Sequence, residues 1–414
     1  MQQETHARGN ESPSYWQATA PAFTQSSPLP THTDVAVIGG GLLGTATSYW
    51  LAKAGIPVLL LERTRPAAGA TGRNGGVITV GPAEAYHQAV ARIGRETARA
   101  ILRVTLESRA LLRQVLTDEA ISCDYREPGH LRIALDNKQL SNFRQMQEAL
   151  EQDGIPATIV TPEDMQHFIH TPLGPRIQGG LFIPHMALAH SAKLVQGLVT
   201  AAQRYGAQVA IATVQQLQPE SKGIRISTTQ GTTYAGNVIV ATNAWLSDLL
   251  PSLKPLITPV RGQVLAYHPI PPLFSTGLSV HLSETGEYWQ QTPSGTILLG
   301  GCRTSAEGHD VGIRESQPTP EVQQALEGVL PQLLPQLPEL HVAHRWAGLM
   351  AFTLDLLPIV DRAPDFPHTW FVGGFCGHGM PFGLRFGQLL AEAVIQNTVP
   401  TALIPFRLAR LIAV

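Results

Sequence analysis

An α/β fold, α+β over the whole chain, is predicted for this 414-residue sequence. Three features predict it. Residues 34–62, DVAVIGGGLLGTATSYWLAKAGIPVLLLE, read as strand, glycine turn, helix, turn, strand. The same grammar returns at 238–250 and again at 369–396. Between the returns lie β-rich stretches with turn punctuation, which suit an antiparallel sheet. A Rossmann-like nucleotide-binding domain over 31–87, 172–255 and 340–414 therefore alternates with a second domain over 88–171 and 256–339, behind an arm at 1–30.

The first unit sets the chemistry. Val35, Ala36, Val37 and Ile38 form an apolar run, as a strand covered on both faces requires. Gly39, Gly41 and Gly44 make GxGxxG: a tight turn, a close backbone approach to a pyrophosphate, and close helix–strand packing. The free N–H groups at the helix start favour an anion. Leu43, Ala46, Trp50, Leu51 and Ala54 are expected to face the sheet, and Gly55 and Pro57 end the helix. Glu62 closes the second strand where an acid accepts from an adenosine ribose. An acid there disfavours a 2′-phosphate, and leaves NAD and FAD both open.

Composition narrows the function classes. The net charge of −2, without a basic cluster, gives nucleic acid no purchase. Three separated cysteines, Cys123, Cys302 and Cys376, disfavour a disulfide framework and a metal site, and suit a reducing cytoplasm. No apolar run is long enough for a membrane span. Residues 1–30 lack the plan of a secretory signal; Tyr15, Trp16 and Phe23 can pin this arm to the body, or it can hang loose.

In chain order, residues 69–76 form a second glycine-rich loop, GATGRNGG, which brings backbone N–H groups close to a flat ligand. Two such loops around one βαβ unit exceed what a nicotinamide needs and point to flavin. The spacing of Ile101, Val104, Leu111, Leu112 and Val115 predicts one long helix over 88–117. Residues 123–135 read as strand, turn, strand, and 138–152 as helix. Thr161 caps a helix opened by Pro162. Ser191 is expected to cap a helix over 192–205, with strands following at 208–214, 224–228 and 232–234. VIVATNAW (238–245) is a buried strand ending in small and polar residues, where open α/β sheets bind ligands. Residues 259–269, 286–293 and 295–303 are strands with a hairpin at 293–295, and 319–335 is a helix. Residues 345–361 read as a return to the first domain, before a strand at 369–374, the turn FCGHGM and a helix at 382–396.

Taken together, DVAVIGGGLLG with Glu62–Arg63, GATGRNGG, VIVATNAW, TPSGTILLGG, RWAG…TLDLLP and GGFCGHGM resemble the flavin-dependent D-amino-acid oxidase superfamily over residues 13–405. The motif style is nearest to the γ-glutamylputrescine, glycine and sarcosine oxidase types. The resemblance implies a glutathione-reductase-type FAD-binding domain and a substrate domain on a large mixed sheet, with the flavin between them. It implies that Gly39, Gly41, Leu42, Leu43 and Gly44 hold the pyrophosphate, and that Glu62 takes the ribose with Arg63 beside the adenine. Ala70, Thr71, Arg73, Asn74, Gly75 and Gly76 would follow the ribityl chain and ring. Val214 would meet the adenine, Ala241 and Thr242 would close the site, and Gly377, His378, Gly379 and Met380 would face the ring.

Three departures matter. Residues 347–353 offer no cysteine and 69–76 no histidine for flavin attachment, so non-covalent FAD is expected. Met350 stands where glycine-oxidase types carry a carboxylate-binding arginine, and Pro381 where sarcosine types carry a lysine. Either the substrate lacks an α-carboxylate or another arginine (Arg73, Arg126, Arg261 or Arg303) binds it. His378 reads as a polar contact to the ring or as a bond holding its own turn; Tyr288 and Trp245 read as amine-pocket walls or as packing. The expected activity is oxidation of a primary or secondary amine or amino acid to an imine, with O2 or another electron acceptor. A dehydrogenase passing electrons to a quinone and a non-catalytic flavin-bound assembly protein are the alternatives.

Overall fold

A computed structural model describes residues 12–412. Two eight-stranded sheets organise the described residues. The first runs Ile359–Arg362, Thr369–Gly373, Gly231–Val240, His32–Ile38, Val58–Glu62, Gln208–Ile211 in space. Of these five pairings, only that of Ile359–Arg362 with Thr369–Gly373 is antiparallel. An antiparallel hairpin, Val214–Glu220 with Gly223–Thr228, extends from Gly231–Val240.

The apolar runs explain the layering. Val35 and Val37 pack into one core with the helices Leu42–Lys53, Ser191–Arg204 and Gly383–Gln396; Ala36 and Ile38 pack into another with Leu246, Leu250 and Leu253. A strand covered on both faces needs apolar side chains at every position rather than at alternate ones.

The second sheet runs Val342–Phe352, Thr258–Tyr267, Ile297–Gly300, Glu287–Gln291, Gly277–Val280, His130–Ala134, Gly179–Ile183, Thr158–Val160. Only the pairing of His130–Ala134 with Gly277–Val280 is parallel. Leu131, Leu278, Trp289, Leu299 and Leu265 meet the helix Pro320–Leu333 on one face. The opposite face turns to the glycine loops of the first unit. The fold is thus the predicted α/β class with a large mixed sheet.

Several elements differ from expectation. Val342–Phe352 pairs along its length with Thr258–Tyr267, and Gly179–Ile183 pairs with His130–Ala134; both strands belong to the second sheet, although 340–414 and 172–255 read as parts of the first domain. Apolar periodicity shows that a strand is buried, not which sheet it joins. Gly94, at φ +78°, splits the expected 88–117 helix into Tyr86–Ile93 and Arg95–Asp118. Residues 123–127 form no strand; Arg126 makes a lone bridge to Leu188. The expected 208–214 strand breaks where Ala212 N–H turns to the Glu62 carbonyl, and 232–240 is one strand rather than two. His190, not Ser191, caps its helix, its ring accepting from Lys193 N–H. Trp50 reaches the Leu384 carbonyl instead of the sheet, and Ala54 is exposed.

The described part of the arm is docked. Tyr15–Thr19 is a short helix, and Trp16, 2% exposed, enters the main core with Tyr15 and Phe23 packed beside it. Residues 1–11 lie outside the described residues. No single helix among the described residues is long and apolar enough to cross a membrane.

Candidate functional site

The candidate site lies at the carboxyl ends of the central parallel strands, where open α/β sheets form a ligand crevice. Gly39 sits at φ +111°, and a Cβ there would come within 2.7 Å of the Ala241 carbonyl. A Cβ on Gly44 would lie 1.9 Å from the Gly39 carbonyl, so only glycine lets the helix start this close to the strand end. The second glycine loop is tied to the same helix start: Leu42 N–H donates to Thr71 Oγ1 at 3.1 Å. Leu43 follows in the first turn and is buried. Glu62 accepts from Gly40 N–H at 2.8 Å and from Thr64 N–H at 3.0 Å. Its carboxylate therefore fixes the turn and keeps lone pairs for a ligand hydroxyl.

A second helix N-terminus reaches the same crevice. The GHG turn has Gly377 at φ +77° and leads through Met380–Phe382 into Gly383–Gln396. A Cβ on Gly383 would strike Leu42 Cδ2 at 2.3 Å, so the two helices touch at their starts. Two positive dipole ends on one crevice suit a ligand with separated anionic or carbonyl groups.

The glycine-rich loop is clasped from three sides. Trp346 Nε1–H donates to the Arg73 carbonyl at 2.9 Å, and Trp16 Nε1–H to the Asn74 carbonyl at 2.6 Å. Gln290 Nε2–H donates to the Gly75 carbonyl, and Asn74 Oδ1 accepts from Gly76 N–H at 2.9 Å. Ser14 and Gln17 of the arm donate to the carbonyls of Gly72, Ala67 and Ala68. Ala70 opens the single 3-10 turn of this loop, Ala70–Arg73.

The structure fits a flavin dinucleotide at one orphaned atom in particular. Thr242 Oγ1 is buried without a hydrogen-bond partner beside Ala241 and Gly39, at the strand end that faces the crevice. Val214 begins the hairpin strand near Glu62, whose own carbonyl takes Ala212 N–H at 2.8 Å. Arg63 stacks over Trp245 with its guanidinium carbon 4.9 Å from the ring centre, and Arg314 does the same at 4.5 Å. Trp245 is thus a platform for two arginines.

The other candidates separate clearly. His378 Nε2 lies 2.8 Å from Thr79 Oγ1, and its backbone N–H closes the turn onto the Phe375 carbonyl. Burial, then the charge of Arg132, pushes its pKa down to about 4. Tyr288 lies against Gly75 and Gly300, where added Cβ atoms would come within 2.3 Å and 2.4 Å of its ring and hydroxyl. Burial raises its phenol to about 12, with Arg303 pulling the other way. Met350 sits beside both Gly262 and Gly377.

Arg261 is committed elsewhere: it holds Asp310 through Nε and Nη2 at 3.0 and 2.6 Å, and Nη1 donates to Gln317. Arg126 donates to Gln290 and Gln291, and Arg73 to the Ala347 and Ala68 carbonyls. Arg303 lies over Phe352 at 5.5 Å. Gly379 abuts Phe375, and Met380 starts the following 3-10 turn. Two residues that act on His378 escaped the sequence reading. Arg132, inside a short apolar strand, gave no motif signal. Thr79 follows the glycine loop and carries no pattern of its own.

The profile of the FAD dependent oxidoreductase (DAO) family matches residues 34–393, and the chain belongs to that family. A γ-glutamylputrescine oxidoreductase of Escherichia coli (strain K12) is 28% identical over 370 residues, covering 87% of this chain and 83% of the relative. A glycine oxidase of Bacillus licheniformis is 23% identical over 373 residues, covering 89% and 94%. The crystal structure of glycine oxidase from Geobacillus kaustophilus superposes with a TM-score of 0.78 at 20% identity, covering 92% of this chain and 99% of that one. The likeness at that identity establishes the fold.

Proposed function

We propose that the chain holds FAD non-covalently and oxidises the C–N bond of a primary or secondary amine or amino acid to an imine, with oxygen as acceptor and hydrogen peroxide as product. The carrying observation is the meeting of two helix starts, at Leu42 and Gly383, over a crevice that the glycine-rich loop and the orphaned Thr242 hydroxyl also line. Similarity to a γ-glutamylputrescine oxidoreductase and a glycine oxidase supports an amine-bearing substrate.

FAD, when bound, accepts a hydride from the carbon beside the amine nitrogen and returns the electron pair to the acceptor. The chain's residues do the rest. Gly39, Gly41 and the N–H groups of Leu43 and Gly44 would hold the pyrophosphate, with Leu42 beside them tied to Thr71. Glu62 and Arg63 sit at the ribose and adenine end with Val214, and Thr242 donates its hydroxyl. Residues 70–76 and 377–380 would hold the flavin ring, the latter offering a helix start to developing negative charge.

The amine must give up its proton before the hydride leaves, since a lone pair drives the step. Free alkyl amines titrate near ~10, like lysine. An enclosed wall such as Tyr288 and Met350 disfavours the ammonium form. His378 stays neutral at working pH and holds the GHG turn through Thr79. Water then hydrolyses the imine to a carbonyl compound, releasing ammonia from a primary amine or an amine from a secondary one.

The test is a panel of amines and amino acids with peroxide measured against substrate consumed. One peroxide per amine supports an oxidase. Turnover only with an added quinone places the acceptor elsewhere. No turnover with flavin bound contradicts the proposed reaction.

A further inference from the structure

We propose that Arg132 is the anion-binding residue of this site, and that the amine oxidised here carries a carboxylate. The inference rests on the amine-oxidation reading and names its substrate class.

Position comes first. Arg132 pairs with Ser279, Ser279 with Tyr288, and Tyr288 with Gly300, in direct register across three neighbouring strand pairs. Directly opposed residues share a face of a sheet. Arg132 therefore lies on the face whose Tyr288 ring rests on Gly75 of the glycine-rich loop. Its neighbours Leu131 and Ile133 point the other way, into the core beneath Pro320–Leu333. Two strand spacings, roughly 10 Å, separate its strand from that of Tyr288. An arginine side chain and a small amine together span such a gap.

The charge is unmet. Among the described residues no hydrogen bond or ion pair reaches the Arg132 guanidinium, and its Nε is buried without an acceptor. Of the arginines weighed as clamps from sequence, Arg261 is held by Asp310 and Gln317 through all three of its nitrogens, and Arg126 donates through Nη2 to Gln290 and Gln291. A desolvated cation is costly unless something pairs with it. The carboxylate of Glu287, in register with Ile133 through Val280, lies on the opposite face of the sheet and accepts from the N–H groups of Leu282 and Ser283.

The surroundings carry the same sign. His87, His130, His281 and His378 are each held below the usual imidazole range, by burial first and then by the charge of Arg132. These four rings come from the Tyr86–Ile93 helix, two strands of the second sheet or their edges, and the GHG turn. A cation facing these imidazoles, with no free acid against it among the described residues, attracts an anion. The planar fork of arginine matches a carboxylate in particular. The same positive charge disfavours an ammonium nearby, which helps deliver the amine in its reactive neutral form.

The experiment uses the holoenzyme with propionate as an unreactive probe. Binding is read as perturbation of the bound flavin's visible spectrum and as a rise in thermal midpoint. In Arg132→Met the propionate Kd rises roughly tenfold or more, as loss of a charge-assisted bond requires. Arg132→Lys restores part of the affinity, since it keeps charge without the fork. KM for carboxylate-bearing amines rises in step, while KM for uncharged amines does not.

An unchanged Kd in both variants, or no binding of propionate to the unsubstituted protein, overturns the assignment. If Arg132→Met fails to retain FAD, Arg132→Lys decides: a weakened Kd supports the proposal and an equal one rejects it. The two readings fail separately. Arg132-dependent propionate binding without amine oxidation sinks the reaction and spares the anion site. Oxidation that proceeds alike in all variants, with equal propionate binding, sinks the anion site and spares the reaction.

Discussion

Trp16 donates its indole N–H to the carbonyl of Asn74 at 2.6 Å, tying the N-terminal arm to the loop proposed to frame the flavin. The indole is 2% exposed and sits where a side chain on Gly76 would come within 2.7 Å of it. Ser14 and Gln17 reinforce the clasp from the same short helix. Trp16→Ala removes a core ring and a loop bond together. It is expected to destabilise the fold by about 3–5 kcal/mol. Flavin content after purification falls with it. A variant that keeps full flavin content and its thermal midpoint would show the clasp to be idle.

Thr242 provides a cleaner test of the cofactor site. Its buried hydroxyl has no partner in the protein, so Thr242→Val loses no internal bond. The FAD-free protein should keep its stability or gain slightly. Affinity for FAD should weaken by the worth of one hydrogen bond, about 0.5–1.5 kcal/mol, or roughly two- to tenfold. Reconstitution titrations of both proteins with FAD measure this directly.

Stability should depend on pH through buried histidines. Burial pushes His378 and His190 down to about 4 and His130 to about 3, from an unfolded value of 6.5. Above pH 6.5 both folded and unfolded chains carry them neutral. As pH falls below that, the unfolded chain takes up protons that the folded chain refuses, so stability is lost. The thermal midpoint is expected to fall between pH 6.5 and 4.5, above the range where most carboxylates titrate. A flat or rising midpoint over that window contradicts the neutral assignment.

Arg261 should behave as a structural residue. Its guanidinium and Asp310 are 11% and 2% exposed and bonded through two contacts. Arg261→Met strands a buried carboxylate and is expected to cost about 3–5 kcal/mol of stability. The ratio of KM for anionic and uncharged amines should stay as it was. A selective rise in KM for anionic substrates would return Arg261 to the role that Arg132 is given above.

The first βαβ unit was legible because each local signal agrees: an apolar run, three glycines with distinct steric duties, and Glu62 at the next strand end. The glycine-rich loop and GHG turn were legible for the same reason. Val342–Phe352 was misassigned because a buried strand carries no mark of its partner; only its register with Thr258–Tyr267 reveals the sheet. A glycine within the helical spacing of 88–117 carries no mark of its backbone angle in the sequence, and the positive φ of Gly94 separates two helices. Arg132 was invisible for a different reason. A single arginine between Leu131 and Ile133 resembles an edge-strand charge, and its unmet state exists only once the second sheet is closed over the first unit.

The anaerobic visible spectrum of the purified protein, recorded before and after addition of an amine, tests the central claim most directly. The predicted result is a yellow protein whose flavin absorbance bleaches on adding a carboxylate-bearing amine and returns on admitting air, and whose flavin is released by denaturation. A colourless protein, or a flavin that no amine bleaches, would contradict it.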